Sequence, residues 1–195
     1  MSSLEASNFA DHTSSFGSKR NFDDCVSLVV EELNHVTSLY PVQNELLDAL
    51  YEHENIFFTS CTNSGKTLPA IMFAKVIKKL QHLGSMDSPK NPKTLFITHL
   101  NSLQQSLVNN TRKLGIECDV ITSENVKELF QNENKEVLFI GPEVLKQESV
   151  SEALLSFRNQ IVLRVVDEAH LGKEFVRIVS SLYMILLFFS CYLGY

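Results

Sequence analysis

Eight consecutive residues, from Ser60 to Thr67, are typical of a loop that holds phosphate groups. They lie between a predicted buried strand and a predicted helix, which is the context that such a loop requires. Backbone N–H groups and the helix N-terminus hold the phosphates, Lys66 adds positive charge, and Thr67 offers its hydroxyl to Mg²⁺. Gly65 lets the backbone approach closely. The residues expected at the ligand are Thr62, Asn63, Ser64, Gly65, Lys66 and Thr67.

Two positions in this loop depart from the strict pattern. Ser60 replaces the first glycine, and Asn63 stands where many such loops also have glycine. Asparagine adopts left-handed dihedral angles more readily than most residues, so Asn63 weakens the match without abolishing it. Taken alone, the Ser-Gly-Lys-Thr segment also fits an ordinary helix cap.

A second candidate motif, Asp167-Glu168-Ala169-His170, directly follows an apolar run about a hundred residues beyond the loop. A carboxylate at the carboxyl end of a parallel strand faces the same crevice as a phosphate loop. There Asp167 would hold Mg²⁺, directly or through water, and Glu168 would polarise the water that attacks the γ-phosphate. Asp-Glu alone also fits a solvated turn, but both motifs at strand ends in this order would then be two coincidences.

The elements that must position these motifs alternate along the chain. Apolar, β-prone runs and amphipathic stretches follow one another, and this order predicts an α/β fold with a mostly parallel sheet and helices on both faces. The predicted strands cover 55–59, 94–98, 117–121, 137–140 and 161–166. The predicted helices cover 22–36, 41–50, 68–83, 102–114, 124–130 and 149–157.

From about Tyr40 to His170 the chain resembles superfamily-two helicases and, within them, the RecQ-type DNA helicases. The loop matches their first motif, Ala-Pro-Thr-Gly-Ser-Gly-Lys-Thr, with departures at Ser60, Cys61 and Asn63. Asp167 to His170 form the Asp-Glu-Ala-His tetrad known as a DEAH box. The resemblance also covers Gln43, seventeen residues before the loop, segment 94–108, and segment 139–143, where glycine replaces the threonine of a Thr-Pro-Glu motif.

This resemblance implies a RecA-like P-loop NTPase domain that binds ATP and Mg²⁺. Lys66 and Glu168 would be catalytic, Thr67 and Asp167 would hold the metal ion, and Gln43 would read the adenine. His170 would link the nucleotide site to the nucleic-acid-binding side. The implied partner is DNA, single-stranded or at a duplex junction, with RNA not excluded, and the implied location is the nucleus.

The resemblance weakens after His170. The family continues with an aromatic-rich loop that contains tryptophan, whereas this chain has no tryptophan. Neither the family's Ser-Ala-Thr motif nor a second RecA-like lobe with its arginine finger follows, so we expect a truncated first lobe that has little activity and does not unwind alone. The alternatives are a non-catalytic module that binds nucleotide or nucleic acid, and a P-loop small-molecule kinase. Gln43 by itself also fits an exposed helix residue.

The composition indicates one folded domain. The chain has 195 residues, of which 44% are hydrophobic and 21% charged, and a net charge of −6 that gives no general attraction to nucleic acid. Four well-separated cysteines indicate neither a zinc site nor a disulfide framework, which favours a reducing compartment. Residues 1–21 are predicted to be a disordered leader without a secretory signal, and 22–177 the incomplete ATP-binding domain.

Residues 178–195 contain no charged residue. A short membrane anchor, an interior helix or strand, and an abnormal ending all fit this composition. The segment is marginal in length for crossing a bilayer and contains three serines, so membrane attachment is disfavoured. We therefore expect an abnormal ending that packs partly on the domain and leaves an exposed apolar patch.

Overall fold

Short apolar runs, rich in β-branched and aromatic residues, form the strands, and amphipathic stretches form the helices between them. The computed structural model describes residues 4–5, 17–52, 55–60, 65–84, 90–98, 102–167 and 184–189. The strands are β1 (Leu4–Glu5), β2 (Asn55–Ser60), β3 (Lys93–Ile97), β4 (Cys118–Val120), β5 (Val137–Ile140), β6 (Ile161–Asp167) and β7 (Met184–Phe189). The helices are α1 (Lys19–Glu32), α2 (Pro41–Glu52), α3 (Thr67–His82), α4 (Ser102–Lys113), α5 (Val126–Gln131), α6 (Pro142–Leu145) and α7 (Glu148–Ser156), with a 3-10 helix at Arg158–Gln160.

The described strands form one sheet in the order β1-β2-β7-β6-β3-β5-β4. The two-residue strand β1 pairs antiparallel with β2, and every other pairing is parallel. Parallel strands need crossover connections, and helices provide several of them here. The predicted α/β class with a mostly parallel sheet is confirmed.

The two faces of the sheet carry separate hydrophobic cores. In β3, Phe96 belongs to the core on one face, whereas Leu95 and Ile97 belong to the core on the other. Successive strand residues point to opposite faces, so this division follows from the pleat. Helices α1, α2, α3 and α4 contribute to the first core, and α5, α6 and α7 to the second. Helices therefore cover both faces, as predicted.

The apolar segment near the end of the sequence contributes an interior strand. Met184–Phe189 form β7, which pairs in parallel with β2 on one side and with β6 on the other. An interior strand is one of the three explanations left open for this segment, and these six residues form one, because a strand between two parallel neighbours takes a continuous apolar run. The expected exposed apolar patch stays a prediction. Residues 178–183 and 190–195 lie outside the described residues. Among the described residues, no helix has the length and apolar composition that crossing a membrane requires.

The N-terminal helix begins earlier than its periodicity predicts. Helix α1 starts at Lys19, within the range predicted as a leader, and its buried residues Phe22, Cys25 and Val29 share one face. Most other predicted elements match to within two or three residues. The short helix α6 was not predicted, although Pro142 at its first position is typical of a helix start.

A buried lysine holds together the edge of the sheet where β3 begins. Lys93 is fully buried, and its Nζ donates hydrogen bonds to Oδ1 of Asn91 at 2.9 Å and to the carbonyl oxygens of Asn132, at 2.6 Å, and Lys135. Burial lowers the pKa of Lys93 to about 8, so its ammonium form still predominates at pH 7. Three acceptors for three N–H donors tie the start of β3 to the turn before β5.

Candidate functional site

The two sequence motifs lie on strands that share one edge of the sheet. Strands β2, β7 and β6 are consecutive and parallel, and Phe58, Leu187 and Asp167 stand in register across them. Adjacent strands are about 4.8 Å apart, so the backbone of Asp167 lies about 10 Å across the sheet from that of Phe58. Ser60, where the phosphate loop begins, is two residues further along β2, or about 6.6 Å. The strand ends that carry both motifs are therefore neighbours.

The described end of the loop leads directly into a long helix. Gly65 has a φ of +70°, Lys66 has helical dihedrals, and Thr67 is the first residue of the sixteen-residue helix α3. The N–H of Leu68 donates to the carbonyl oxygen of Gly65 at 3.0 Å, which closes the first turn. The first N–H groups of a helix have no partners within it and carry a partial positive charge. This terminus can therefore hold an anionic group.

Lys66 is the most buried of the described loop residues. It is only 2% exposed, although a lysine at a loop end is usually solvated. An ammonium group at this depth interacts with an anion in a lower dielectric than bulk water, and the attraction is correspondingly stronger. The position of Lys66 therefore fits the phosphate-binding role expected from the sequence.

A buried glutamine holds the loop from the neighbouring helix. Gln43, on the first turn of α2, is 3% exposed. Its Oε1 accepts a hydrogen bond from the backbone N–H of Tyr40 at 2.8 Å, and its Nε2 donates to the carbonyl oxygen of Gly65 at 2.9 Å. A carboxamide has two N–H donors and two acceptor lone pairs, so one donor and one lone pair are not used by these two bonds. Gln43 thus positions the loop, a role that the sequence did not indicate.

This contact also explains the glycine at position 65. A Cβ built on Gly65 would lie 2.4 Å from Nε2 of Gln43, which no real side-chain atom tolerates. The positive φ separately disfavours any other L-residue. The sequence predicted a glycine for close approach of a ligand. The structure adds that Gln43 occupies the space where a side chain would be.

An exposed aromatic ring lies beside the loop. Tyr40 is 65% exposed, and its Cδ2 is 3.9 Å from the Cβ position built on Gly65. A ring at this position offers a flat apolar face next to the phosphate loop. Such a face can stack against a planar ligand.

The ends of two further strands continue this edge beyond β6. Thr98 follows β3, is 4% exposed, and donates its N–H to the carbonyl oxygen of Ile140, the last residue of β5. Gly141 follows β5 and is the N-cap residue of α6. Segments 94–108 and 139–143, which both belong to the helicase resemblance, are therefore adjacent in space at this edge, although they are about forty residues apart in sequence. Gln104 on α4 is 4% exposed, and its Nε2 has no acceptor in the described part of the chain.

The remaining predicted site residues stay predictions. Of Asp167 only the backbone is described, and the other residues lie outside the described ranges: Thr62, Asn63, Ser64, Glu168 and His170. Among the described residues there is no group of three or more side chains able to hold a metal ion. Mg²⁺ usually binds through one or two protein ligands together with water and substrate phosphates, so Thr67 and Asp167 suit this mode of binding.

Comparison with known proteins now places the chain in a family. A family model described as "Type III restriction enzyme, res subunit" matches residues 36–190. The crystal structure of the DUF1998 helicase MrfA is 15% identical, with a TM-score of 0.48 over 91% of this chain and 29% of that one. The chain therefore spans less than a third of that structure's length. No match was found among curated proteins.

The match confirms the coarser part of the resemblance stated above. The chain has an ATP-binding lobe of the superfamily-two helicase type with a RecA-like α/β fold. The matched range, 36–190, begins before α2 and ends just after β7, so it includes both the phosphate loop and the interior strand. The chain belongs to the family of the type III restriction enzyme res subunit.

Proposed function

We propose that this chain binds Mg-ATP where β2 meets α3 and acts as the ATP-binding lobe of a RecQ-like DNA helicase. The observation that carries the proposal is the contact between Gln43 and Gly65 beside the exposed ring of Tyr40. It joins a base-sized aromatic face to a helix N-terminus able to hold phosphates.

Different described residues would bind different parts of Mg-ATP. The N–H groups at the start of α3 and the ammonium group of Lys66 would hold the phosphates, and the hydroxyl of Thr67 would contact Mg²⁺. The metal ion would neutralise charge on the phosphates during transfer. Asp167 would be its second protein ligand, and Glu168, as part of a DEAH box, would orient the attacking water.

The adenine would be held next to Tyr40. An aromatic ring that is 65% exposed can stack on a base, and Gln43 has one N–H donor not used by Gly65. Reading the adenine and positioning the loop would then be two functions of one carboxamide. ATP should therefore bind more tightly than a nucleotide whose base lacks adenine's hydrogen-bonding edge.

DNA is the proposed polymer partner, and it would bind along the strand ends that follow β3 and β5. Thr98 and Gly141 are close to each other there, and Gln104, whose Nε2 has no acceptor among the described residues, belongs to helix α4. Neutral polar groups and backbone amides suit contact with a phosphate backbone even in an acidic domain. His170 would couple this strip to the nucleotide site. A RecQ-like helicase would act in the nucleus.

A non-catalytic nucleotide-binding module is the second candidate. Ser60 stands where a strict phosphate loop has glycine, and Asn63 where many such loops also have one, while the arginine that speeds phosphoryl transfer in this family would come from a second lobe. The two candidates differ in ATPase activity. Phosphoryl transfer depends on charge stabilisation, and an arginine supplied from outside the lobe can add about 10³–10⁵ in rate. We expect this chain alone to hydrolyse ATP slowly, with Glu168→Gln abolishing what remains.

Titration with a fluorescent ATP analogue and Mg²⁺ tests the binding site. We expect Lys66→Ala to weaken binding about 10- to 100-fold, because a hydrogen bond to a charged group contributes roughly 1.5–3 kcal/mol. Lys127→Ala, at an exposed position on α5, is the matched control and should bind like the parent chain. Equal affinity of the parent and Lys66→Ala proteins, both folded by circular dichroism, would remove the phosphate-loop assignment.

A further inference from the structure

Helix α1 lies outside the family match, which begins at residue 36, yet it packs against both helices that form the candidate site. The fully buried ring of Phe22 is inserted between α2 and α3. Its centroid is 5.1 Å from that of Tyr51 on α2 and 6.4 Å from that of Phe73 on α3, both in tilted geometry. One side chain of α1 therefore contacts the two helices at once.

The ammonium group of Lys19 adds further contacts between α1 and α2. Nζ of Lys19 lies 2.6 Å from Oδ1 of Asp48 and also binds Asp23 on its own helix. The same atom is 5.3 Å from the ring centroids of Phe22 and Tyr51, within the range of a cation–π contact. Although burial lowers the pKa of Lys19, the hydrogen bonds to Asp23 and Asp48 outweigh it and raise that pKa. Lys19 therefore stays charged over the physiological range.

Ion pairs connect the other end of α1 to α3. Oε1 of Glu32 is 2.5 Å from Nζ of Lys79, and Oε2 is 3.5 Å from Nζ of Lys75. The hydrogen bond from Lys79 lowers the pKa of Glu32. The hydroxyl of Tyr51 also donates to the carbonyl oxygen of Gly17, which connects α2 to the chain two residues before α1. The contacts run along the whole length of α1 rather than at one point.

We propose that α1 is a brace that sets the position of α2 against α3 and so holds the contact between Gln43 and Gly65. Phe22 and Lys19 are its positioning residues, and nucleotide affinity is the property that they control. The inference rests on the proposed nucleotide-binding function. Helix α1 would then regulate that site from outside residues 36–190, the range that the family model matches.

Helices α2 and α3 connect the contacts of Phe22 to the candidate site. Tyr51 is eight residues from Gln43 along α2, about 12 Å, and Phe73 is six residues from Thr67 along α3, about 9 Å. Helices are stiff over such lengths, so a change in their separation at Phe22 shifts their other ends as well. The bond from Gln43 to Gly65 measures 2.9 Å, and a shift of about 0.7 Å would remove it.

Lys19→Met is the test substitution, because methionine keeps an apolar stem against the two rings while removing the ammonium group. Lys135→Met is the matched control. Lys135 also pairs with two carboxylates, those of Glu117 and Asp119, at 3.4 Å each, but it lies two residues before β5, at the edge of the sheet opposite the loop. Both variants are compared with the parent chain in two measurements, titration with the fluorescent ATP analogue and hydrogen exchange of the amides of residues 65–68.

We expect Lys19→Met to weaken nucleotide binding about 3- to 10-fold, within the range by which residues that couple distant sites act. It should also speed exchange of the amides of residues 65–68, while Lys135→Met does neither. In a Gln43→Ala chain, Lys19→Met should change the affinity no further, because the contact that it supports is already gone. A purely structural role would instead leave the two effects additive.

The outcomes separate the two proposals. If Lys19→Met leaves affinity and exchange at the loop unchanged, or if its effect persists in the Gln43→Ala chain, α1 is not a brace for this contact. If the parent chain binds no nucleotide, the proposed function fails, and the exchange measurement alone then decides whether α1 holds the loop. Phe22→Leu provides a second variant, which perturbs the contacts of α1 with Tyr51 and Phe73 without changing charge.

Discussion

Replacing Gly65 with alanine tests the contact on which the candidate site depends. Gly65 has a φ of +70°, a region that other L-residues occupy only at a cost. The new Cβ would lie 2.4 Å from Nε2 of Gln43 and 3.9 Å from Cδ2 of Tyr40. The second distance is an ordinary contact, whereas the first requires Gln43 to move. The substitution therefore combines backbone strain with the displacement of a buried side chain.

The free energy of unfolding should fall by the sum of these two effects. A left-handed backbone costs alanine about 1–2 kcal/mol. Displacing Gln43 breaks its bonds to Gly65 and Tyr40 in a site where it is 3% exposed, and a buried polar group without partners costs about 1–3 kcal/mol. The total is about 2–5 kcal/mol, which is a large part of the stability of a typical domain.

Urea unfolding followed by circular dichroism and by fluorescence measures this loss at pH 7. Gly84→Ala is the matched control, because Gly84 has a φ of +66° and no atom of the described residues lies within 4 Å of the new Cβ. It should lose only the backbone part, about 1–2 kcal/mol. In a Gln43→Ala chain, Gly65→Ala should also lose only about 1–2 kcal/mol, because nothing then occupies the space.

Gly65→Ala could instead lower the free energy of unfolding by the same amount in the parent and Gln43→Ala chains. That result would mean that Gln43 does not press against the loop, and the role of this residue in positioning it would have to be withdrawn. A cost equal to that of Gly84→Ala in the parent chain would lead to the same conclusion.

Three further substitutions test the electrostatics and packing of the fold. The pKa of Lys93 is lowered by burial from 10.5 to about 8, so between these pH values the unfolded chain binds more protons and the native state gains stability as pH rises. The Lys93→Met chain should lack this gain of roughly 3 kcal/mol in the free energy of unfolding, measured by urea unfolding at each pH. If the free energies of the parent and variant chains changed in parallel with pH, the prediction would be contradicted. Burial raises the pKa of the Cys118 thiol from 9.0 to about 11, so the native state retains a proton that the unfolded chain loses, and stability falls across this range. In the Cys118→Ala chain this fall should be absent. A free energy of unfolding that falls with pH as steeply as in the parent chain would argue against this prediction. Phe139→Ala should cost about 3–5 kcal/mol in urea unfolding, because Phe139 is fully buried, and a loss below 1 kcal/mol would show that its site is loosely packed.

Local sequence determined the order of the elements and the edge on which the site lies. Runs such as Val137–Ile140 are too short and too apolar for anything but a buried strand, and α3 has the periodicity of a helix packed on a sheet. Parallel strands have their carboxyl ends at one edge, so the loop after β2 and Asp167 at the end of β6 had to lie at the same edge of the sheet. Both conclusions need only the chain's local pattern and the geometry of a parallel sheet.

Tertiary structure alone decided the features that depend on pairing between distant segments. Met184–Phe189 have the same composition whether they pack in a sheet, in a bilayer or against a surface, and only the hydrogen bonds to β2 and β6 select the first. Gln43 is twenty-two residues from Gly65, and no spacing rule states that its amide fills the space of the missing Cβ. The contact of Phe22 with both Tyr51 on α2 and Phe73 on α3 likewise depends on three helices at once. Sequence patterns report which face of each element is apolar, but packing decides which partner that face meets.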